Sequence, residues 1–230
     1  IDGIYLPHSG YDNNDEIEFV LDTQLPNICY TAQAPIINID QIKKVITVQI
    51  FATKKTIDDC ASENQNQPYV FPVHYSESFK IGKLIEGEYS ILFGSAEKNK
   101  AVFIVSKPSQ NNIDENIYAP VGQVFIPELI NEKDEAQVII TGVINNSCLT
   151  LQEKNIKVIP QGDVFVILPI MNFSSSSYCQ SINRPFQLII SLGRLPIGRY
   201  LVHTRSMSGQ SFNRLFSLSK LNPTDSEFPR

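Results

Sequence analysis

Hydrophobic and polar residues alternate with a period of two along most of this chain. Lys44-Val45-Ile46-Thr47-Val48-Gln49-Ile50-Phe51 and Asp163-Val164-Phe165-Val166-Ile167-Leu168 carry the pattern most clearly. Glu16-Ile17-Glu18-Phe19-Val20-Leu21, Ala101-Val102-Phe103-Ile104-Val105, Gln137-Val138-Ile139-Ile140-Thr141 and Gln187-Leu188-Ile189-Ile190 share it. These runs are rich in the β-branched and aromatic residues that fit a pleated, half-buried surface. Turn residues interrupt them about every eight to twelve positions, and no run keeps helical spacing. About seven short strands in about 110 residues is the arithmetic of a β-sandwich, with a small barrel as the structural alternative.

The strand pattern is written twice. A shift of 119 positions places Asp15-Glu16 on Asp134-Glu135, Asn27 on Asn146, Cys29 on Cys148, Val45 on Val164 and Cys60 on Cys179. Just upstream, Tyr5-Leu6-Pro7 meets Phe125-Ile126-Pro127 at a shift of 120. Downstream the shift falls to 111, where Gly82-Lys83-Leu84-Ile85-Glu86-Gly87-Glu88-Tyr89 faces Gly193-Arg194-Leu195-Pro196-Ile197-Gly198-Arg199-Tyr200. The eight lost positions belong to a polar insertion around Ser62 to Pro68 in the first copy. Asn99-Lys100 then pairs with Asn213-Arg214 at 114. Matches in one order over a whole unit predict two homologous domains. The expected boundaries are 1–107 for the first repeat, 108–116 for a polar linker, 117–220 for the second repeat and 221–230 for a C-terminal tail.

Four cysteines change the picture more than composition does. Cys29 and Cys60 are as far apart as Cys148 and Cys179, and none sits at metal-ligand spacing from another. Only the pairing Cys29–Cys60 with Cys148–Cys179 respects the repeat, so one disulfide is expected in each domain. Disulfides persist in oxidising compartments, which points to a periplasmic, extracellular or cell-surface protein. No charged and apolar leader precedes Ile1, so a signal peptide is expected to have been removed or left out.

The spacing Leu-x-x-Gly-x-Tyr-x-(apolar) occurs at Leu84 to Ile91 and again at Leu195 to Val202. It resembles the tyrosine corner of immunoglobulin-like and fibronectin-like domains, in which a Tyr hydroxyl returns to the backbone of the preceding turn. The resemblance implies an all-β fold of two tandem Ig-like sandwiches and a structural role for Tyr89 and Tyr200. The chain departs from the family pattern in having no Trp to pack on a core disulfide. Its Cys pairs are also too close in sequence to join the usual two strands.

Charge and chemistry narrow the function by exclusion. A net charge of −5 argues against a nucleic-acid binder that works by bulk electrostatics. No apolar run is long enough for a membrane-spanning helix. His8, His74 and His203 are not at ligand spacing, and nucleophile elbows, phosphate-cradling loops and zinc-protease motifs are lacking. No cofactor or resident metal is expected. Asp12-Asn13-Asn14-Asp15-Glu16 begins like a calcium loop, yet Ile17 stands where the turn glycine belongs, and a solvated, charged turn between the first two strands is the preferred reading.

All six Arg lie in the second half, and Arg194, Arg199, Arg205 and Arg214 bracket its last two strands. If these strands are neighbours, the four could form a face for an acidic protein partner. Loops next to Cys60 and Cys179, including residues 61–68 and Ser174 to Tyr178, form a second candidate surface.

The expected function is a non-enzymatic secreted or cell-envelope protein that binds another protein or acts in adhesion or structure. The alternatives are a carboxylate- or metal-dependent hydrolase on a sandwich scaffold, or a carbohydrate-binding module, which the absence of Trp disfavours. Fimbrial chaperones resemble the chain in architecture only, and an exposed sheet edge would revive that reading.

Overall fold

The computed structural model describes residues 3–55, 71–94, 100–109, 112, 114–175 and 178–220 of the 230-residue chain. It divides into two compact units, 1–108 and 109–230. The structure is all-β, with several sheets arranged as a β-sandwich requires.

The first unit contains β1 (Gly3–Tyr5), β2 (Tyr11–Asp12), β3 (Ile17–Leu25), β4 (Tyr30–Ala32) and β5 (Ile36–Asp40). It continues with β6 (Val45–Gln49), β7 (Ala52–Lys54), β8 (Val73–Gly82), β9 (Gly87–Phe93) and β10 (Lys100–Ser106). One sheet has the order β1-β3-β8 and the other β2-β10-β9-β6-β5, while β4 and β7 form a separate ribbon. Alternate residues of both sheets, including Phe19 and Leu21 from β3 and Ile46, Tyr89, Ile91 and Phe103 from the facing sheet, make the core.

The second unit contains β11 (Val121–Phe125), β12 (Leu129–Asn131), β13 (Ala136–Asn146) and β14 (Leu149–Gln161). After these come β15 (Val164–Phe173), β16 (Ser181–Gly193), β17 (Gly198–Arg205) and β18 (Ser211–Ser219), with a single 3-10 turn at Met207–Gly209. Its sheets run β11-β13-β16 and β12-β18-β17-β15-β14. Val138, Ile140, Ile167, Val202 and Phe216 lie at the centre of its core.

The two units share one strand order, and their registers match in detail. β3 meets β8 with Ile17 opposite Gly82, and β13 meets β16 with Ala136 opposite Gly193; a register shift follows at once in both pairs. Ser90 N–H donates to Lys44 C=O as Leu201 N–H donates to Asp163 C=O, each at 2.9 Å. Tyr89 lies opposite Phe103 and Tyr200 opposite Phe216, and both pairs stack, with centroids 5.6 and 5.4 Å apart. The last pair puts β10 on β18 at a shift of 113. The best local sequence match, at 114, is one residue out, because identity of Asn and basic side chains cannot outweigh the aromatic stack that fixes the register.

Two features differ from the sequence expectation. The described residues hold ten strands in the first unit and eight in the second. The surplus consists of β2, β4, β7 and β12, which have two or three residues each and are too short to show alternation. The five-stranded sheets are also mixed: β6 runs parallel to β9, and β15 to β17. Immunoglobulin sandwiches have antiparallel sheets. Here the chain leaves the sheet after β6 or β15, passes through β8 or β16 of the other sheet and returns, and such a crossover yields parallel neighbours.

Candidate interaction surface

Chain turns at one end of the second unit are held by the Cys148–Cys179 disulfide, with Cα atoms 5.3 Å apart. Cys148 occupies the turn between β13 and β14, and Cys179 lies two residues before β16. Asn146 shapes the turn by accepting the Cys148 N–H on its side-chain oxygen at 2.9 Å. Ser147 N–H donates to Gln180 C=O at 3.0 Å, Gln180 N–H returns to Ser147 Oγ at 2.8 Å, and Ser174 N–H donates to Cys148 C=O at 2.9 Å. Arg184 Nη2 donates to Leu149 C=O at 2.6 Å. Beside these paired groups two aromatic side chains are turned toward solvent: Phe173 is 55% exposed and Tyr178 80%. An aromatic on a braced support loses little further freedom when it is covered, so its area converts well into affinity.

The corresponding end of the first unit uses the same local chemistry. Asn27 Oδ1 accepts the Cys29 N–H at 2.9 Å, and Lys55 N–H donates to Cys29 C=O at 2.8 Å. Cys29 is disulfide-bonded. Its expected partner Cys60, with Asp58, Asp59 and the inserted segment 61–68, lies outside the described residues. Phe51 and Phe71 are exposed near this end, where Leu25 pairs with Val73.

Strands β17 and β18 are antiparallel neighbours, but the four candidate arginines do not gather on one face. Arg199 and Arg205 alternate with the core residues Tyr200 and Val202, whereas Arg214 stands opposite Val202 and shares its side of the sheet. Arg214 Nε donates to Val124 C=O at 3.1 Å. Arg199 is half-buried and donates to Ser217 Oγ at 2.8 Å. Arg205 is buried, faces the Asp114 carboxylate at 3.7 Å and lies 5.7 Å from the centre of the Tyr118 ring. It anchors the start of the unit, since Asp114 also accepts the Gly209 N–H at 3.1 Å. Arg194 is exposed in the loop after β16. Sequence adjacency could not separate these environments, which depend on strand phase and on a carboxylate about ninety residues away.

Both candidate corner tyrosines close back on the preceding turn. Tyr89 Oη donates to Ile85 C=O at 3.1 Å, and Tyr200 Oη to Pro196 C=O at 2.9 Å. Lys44 caps the first corner, with Nζ 2.9 Å from Glu86 C=O and 3.2 Å from Tyr89 Oη. In the second, burial and the nearby Asp163 carboxylate raise the Tyr200 phenol above its usual pKa.

Titratable residues elsewhere occupy structural positions. The stretch Asp12 to Asp15 is a hydrogen-bonded turn: Asn14 N–H reaches Asp12 Oδ1 at 2.7 Å and Asp12 N–H reaches Asp15 Oδ2 at 2.9 Å. Asp12 and Asp15 are buried, unlike the solvated turn the sequence suggested, because their carboxylates serve this turn's own N–H groups. Among the described residues no group of three or more His, Cys, Asp or Glu side chains is placed to hold a metal. His74 Nε2 meets the buried carboxylate of Asp22 across β3 and β8. His203 is buried on β17 with Nδ1 2.8 Å from Asn213 Oδ1, and burial lowers its pKa to about 4, helped by the Arg205 charge and opposed by the Asn213 contact. No described helix is long and apolar enough to cross a membrane.

No protein-family model matches the sequence, and comparison with curated proteins and with solved structures gives no match.

Proposed function

We propose that this protein is a non-enzymatic binding component of an oxidising compartment, secreted, periplasmic or at the cell surface. It is built from two duplicated Ig-like modules with one disulfide in each, and its partner is another envelope or extracellular protein. The disulfide-braced end of the second unit, with Tyr178 and Phe173 presented on a hydrogen-bonded support, is the observation that carries this reading. Exposed tyrosine at a fixed position is a common anchor of protein recognition. Matched strand order and register in the two units support duplication. The bridge Cys148–Cys179 supports an oxidising location. Arg194 and Arg199, which follow the far end of β16 from Cys179, are proposed as a separate charged contact on the same unit, with Arg205 and Arg214 serving structure.

The test is capture of a partner from extracellular and envelope material of the source by immobilised oxidised protein. The double substitution Tyr178→Ala with Phe173→Ala is expected to lower saturable capture by about tenfold or more, the loss of a binding anchor. Arg194→Ala with Arg199→Ala is expected to weaken capture by a smaller factor and to make it less sensitive to salt. Equal capture by the aromatic double variant, with an unchanged unfolding midpoint, would remove this surface from the account.

A further inference from the structure

We infer that the free edge of β16 pairs, antiparallel and about a two-fold axis, with β16 of a second copy of this chain. Strand β16 is thirteen residues long and is the outer strand of its sheet, bonded on one side to β13. Its other side presents a row of backbone donors and acceptors, the arrangement that recruits another strand unless charge, proline or cover prevents it. The corresponding edge strand, β8, carries His74, Glu77 and Lys80 along its length. From Phe186 to Gly193, β16 carries no ionisable side chain at all. Pro185, which has no N–H to give, limits further pairing at one end, and Gly193 closes the strand at the other.

The register selects both the occupant and the centre. Phe125, Ile139 and Ile189 lie opposite one another on β11, β13 and β16, so they share one outer face. Phe125 is 50% exposed and Ile189 64%, which leaves an apolar row that ends abruptly at the sheet edge. An antiparallel two-fold pair keeps each face of the sheet on its own side only if a residue, rather than a peptide bond, lies on the axis. Centred on Ile189, the two rows join into one six-residue apolar stripe across a six-stranded sheet. The same register sets Gln187 against Ser191 of the copy on this face, and Leu188 against Ile190 on the other.

No like charges meet within the paired segment. Just outside it the register brings Arg184 opposite Arg194 of the copy, where Arg184 is held to Leu149 C=O and Arg194 lies in the loop beyond the strand. A two-fold contact of this kind closes on itself, so it gives a dimer and not a fibre.

Sedimentation equilibrium of the full oxidised chain, over about 1–200 µM, tests the pairing in the range expected for a small interface. The wild type is expected to show a reversible monomer–dimer equilibrium. Ile189→Lys and Ile189→Glu each place like charges on the axis and are expected to raise the dissociation constant at least about tenfold. A one-to-one mixture of the two variants is expected to recover the dimer, because Lys then faces Glu. Gln152→Lys, which adds the same charge to the edge strand β14, is expected to dimerise like the wild type. Because Ile189 is exposed, the unfolding midpoints of the variants, read at concentrations below the dimer range, are expected to match the wild type. The inference is overturned by a wild type that is monomeric throughout, by undiminished dimers of the single variants, by a mixture that stays monomeric, or by growth into larger polymers.

Discussion

Tyr200 places its ring against Phe165 and Phe216 while its hydroxyl donates to Pro196 C=O, so one residue joins the core to the turn before β17. Removing only the hydroxyl isolates the hydrogen bond from the packing. Tyr200→Phe is expected to cost about 1 kcal/mol, the net value of one such bond, as read by denaturant unfolding. Tyr89→Phe is expected to cost a similar amount, since Lys44 retains its contact with Glu86 C=O and its place 4.9 Å over the ring. Gly142 has no such tolerance. A Cβ there would stand 2.2 Å from Pro120 C=O and 2.6 Å from the Phe186 ring, so Gly142→Ala is expected to cost more than about 2 kcal/mol or to shift β13 against β16.

His203 belongs to the same scale and makes stability depend on pH. The folded imidazole takes a proton only near pH 4, whereas the unfolded chain does so near its ordinary value of 6.5. Between those values the unfolded state binds more protons, so the stability supplied by neutral His203 is complete above pH 6.5 and is lost as pH falls toward 4. The span corresponds to about 3 kcal/mol. Unfolding free energies are expected to fall from pH 6.5 to pH 5 in the wild type, with a shallower fall in His203→Gln. Parallel profiles would contradict a neutral buried imidazole.

At the scale of elements, the disulfide-tied turn is the most testable piece. Cys148 and Cys179 close a loop with a sequence separation of 31. The chain-entropy account gives such a bridge about 3–4 kcal/mol, so Cys148→Ser with Cys179→Ser is expected to lower the unfolding free energy by roughly that amount. Most long strands were legible, either because one buried face drives their alternation, as in β6, β10 and β13, or because burial on both faces makes a dense apolar, β-branched run, as in β3 and the first half of β15. Edges were less so: β16 begins six residues before its apolar run, in Ser181 to Phe186, where Arg184 and Pro185 mask the pattern. The parallel neighbours β6–β9 and β15–β17 left no local mark, since adjacency across a crossover is set by packing between distant segments. The arginine set is divided for a related reason. Strand phase sends Arg214 to the opposite side from Arg199, and the partner of Arg205 comes from the stretch read as linker.

For the whole molecule, the proposed duplication accounts for two different loop ends on two units of the same strand order. Register, corner tyrosines and the Asn-x-Cys turns recur in both units, while the exposed aromatics do not: Phe51 and Phe71 at one end, Phe173 and Tyr178 at the other. Charge diverges as well, with 14 acidic residues against 9 Lys in residues 1–113, and 10 acidic against 10 basic in residues 114–230. A scaffold constrained by packing and free at its loops is how binding surfaces diverge without a change of fold.

The central claim is that the braced end of the second unit touches a protein partner. Its most direct test is a photo-crosslinking amino acid placed at Tyr178, in the oxidised chain mixed with the source's own envelope and extracellular material. The same group at Lys157, exposed on β14, serves as the reference. The account predicts one discrete heterologous adduct from position 178, competed by unlabelled protein and missing from position 157. No adduct at 178, or the same adducts from both positions, would contradict it.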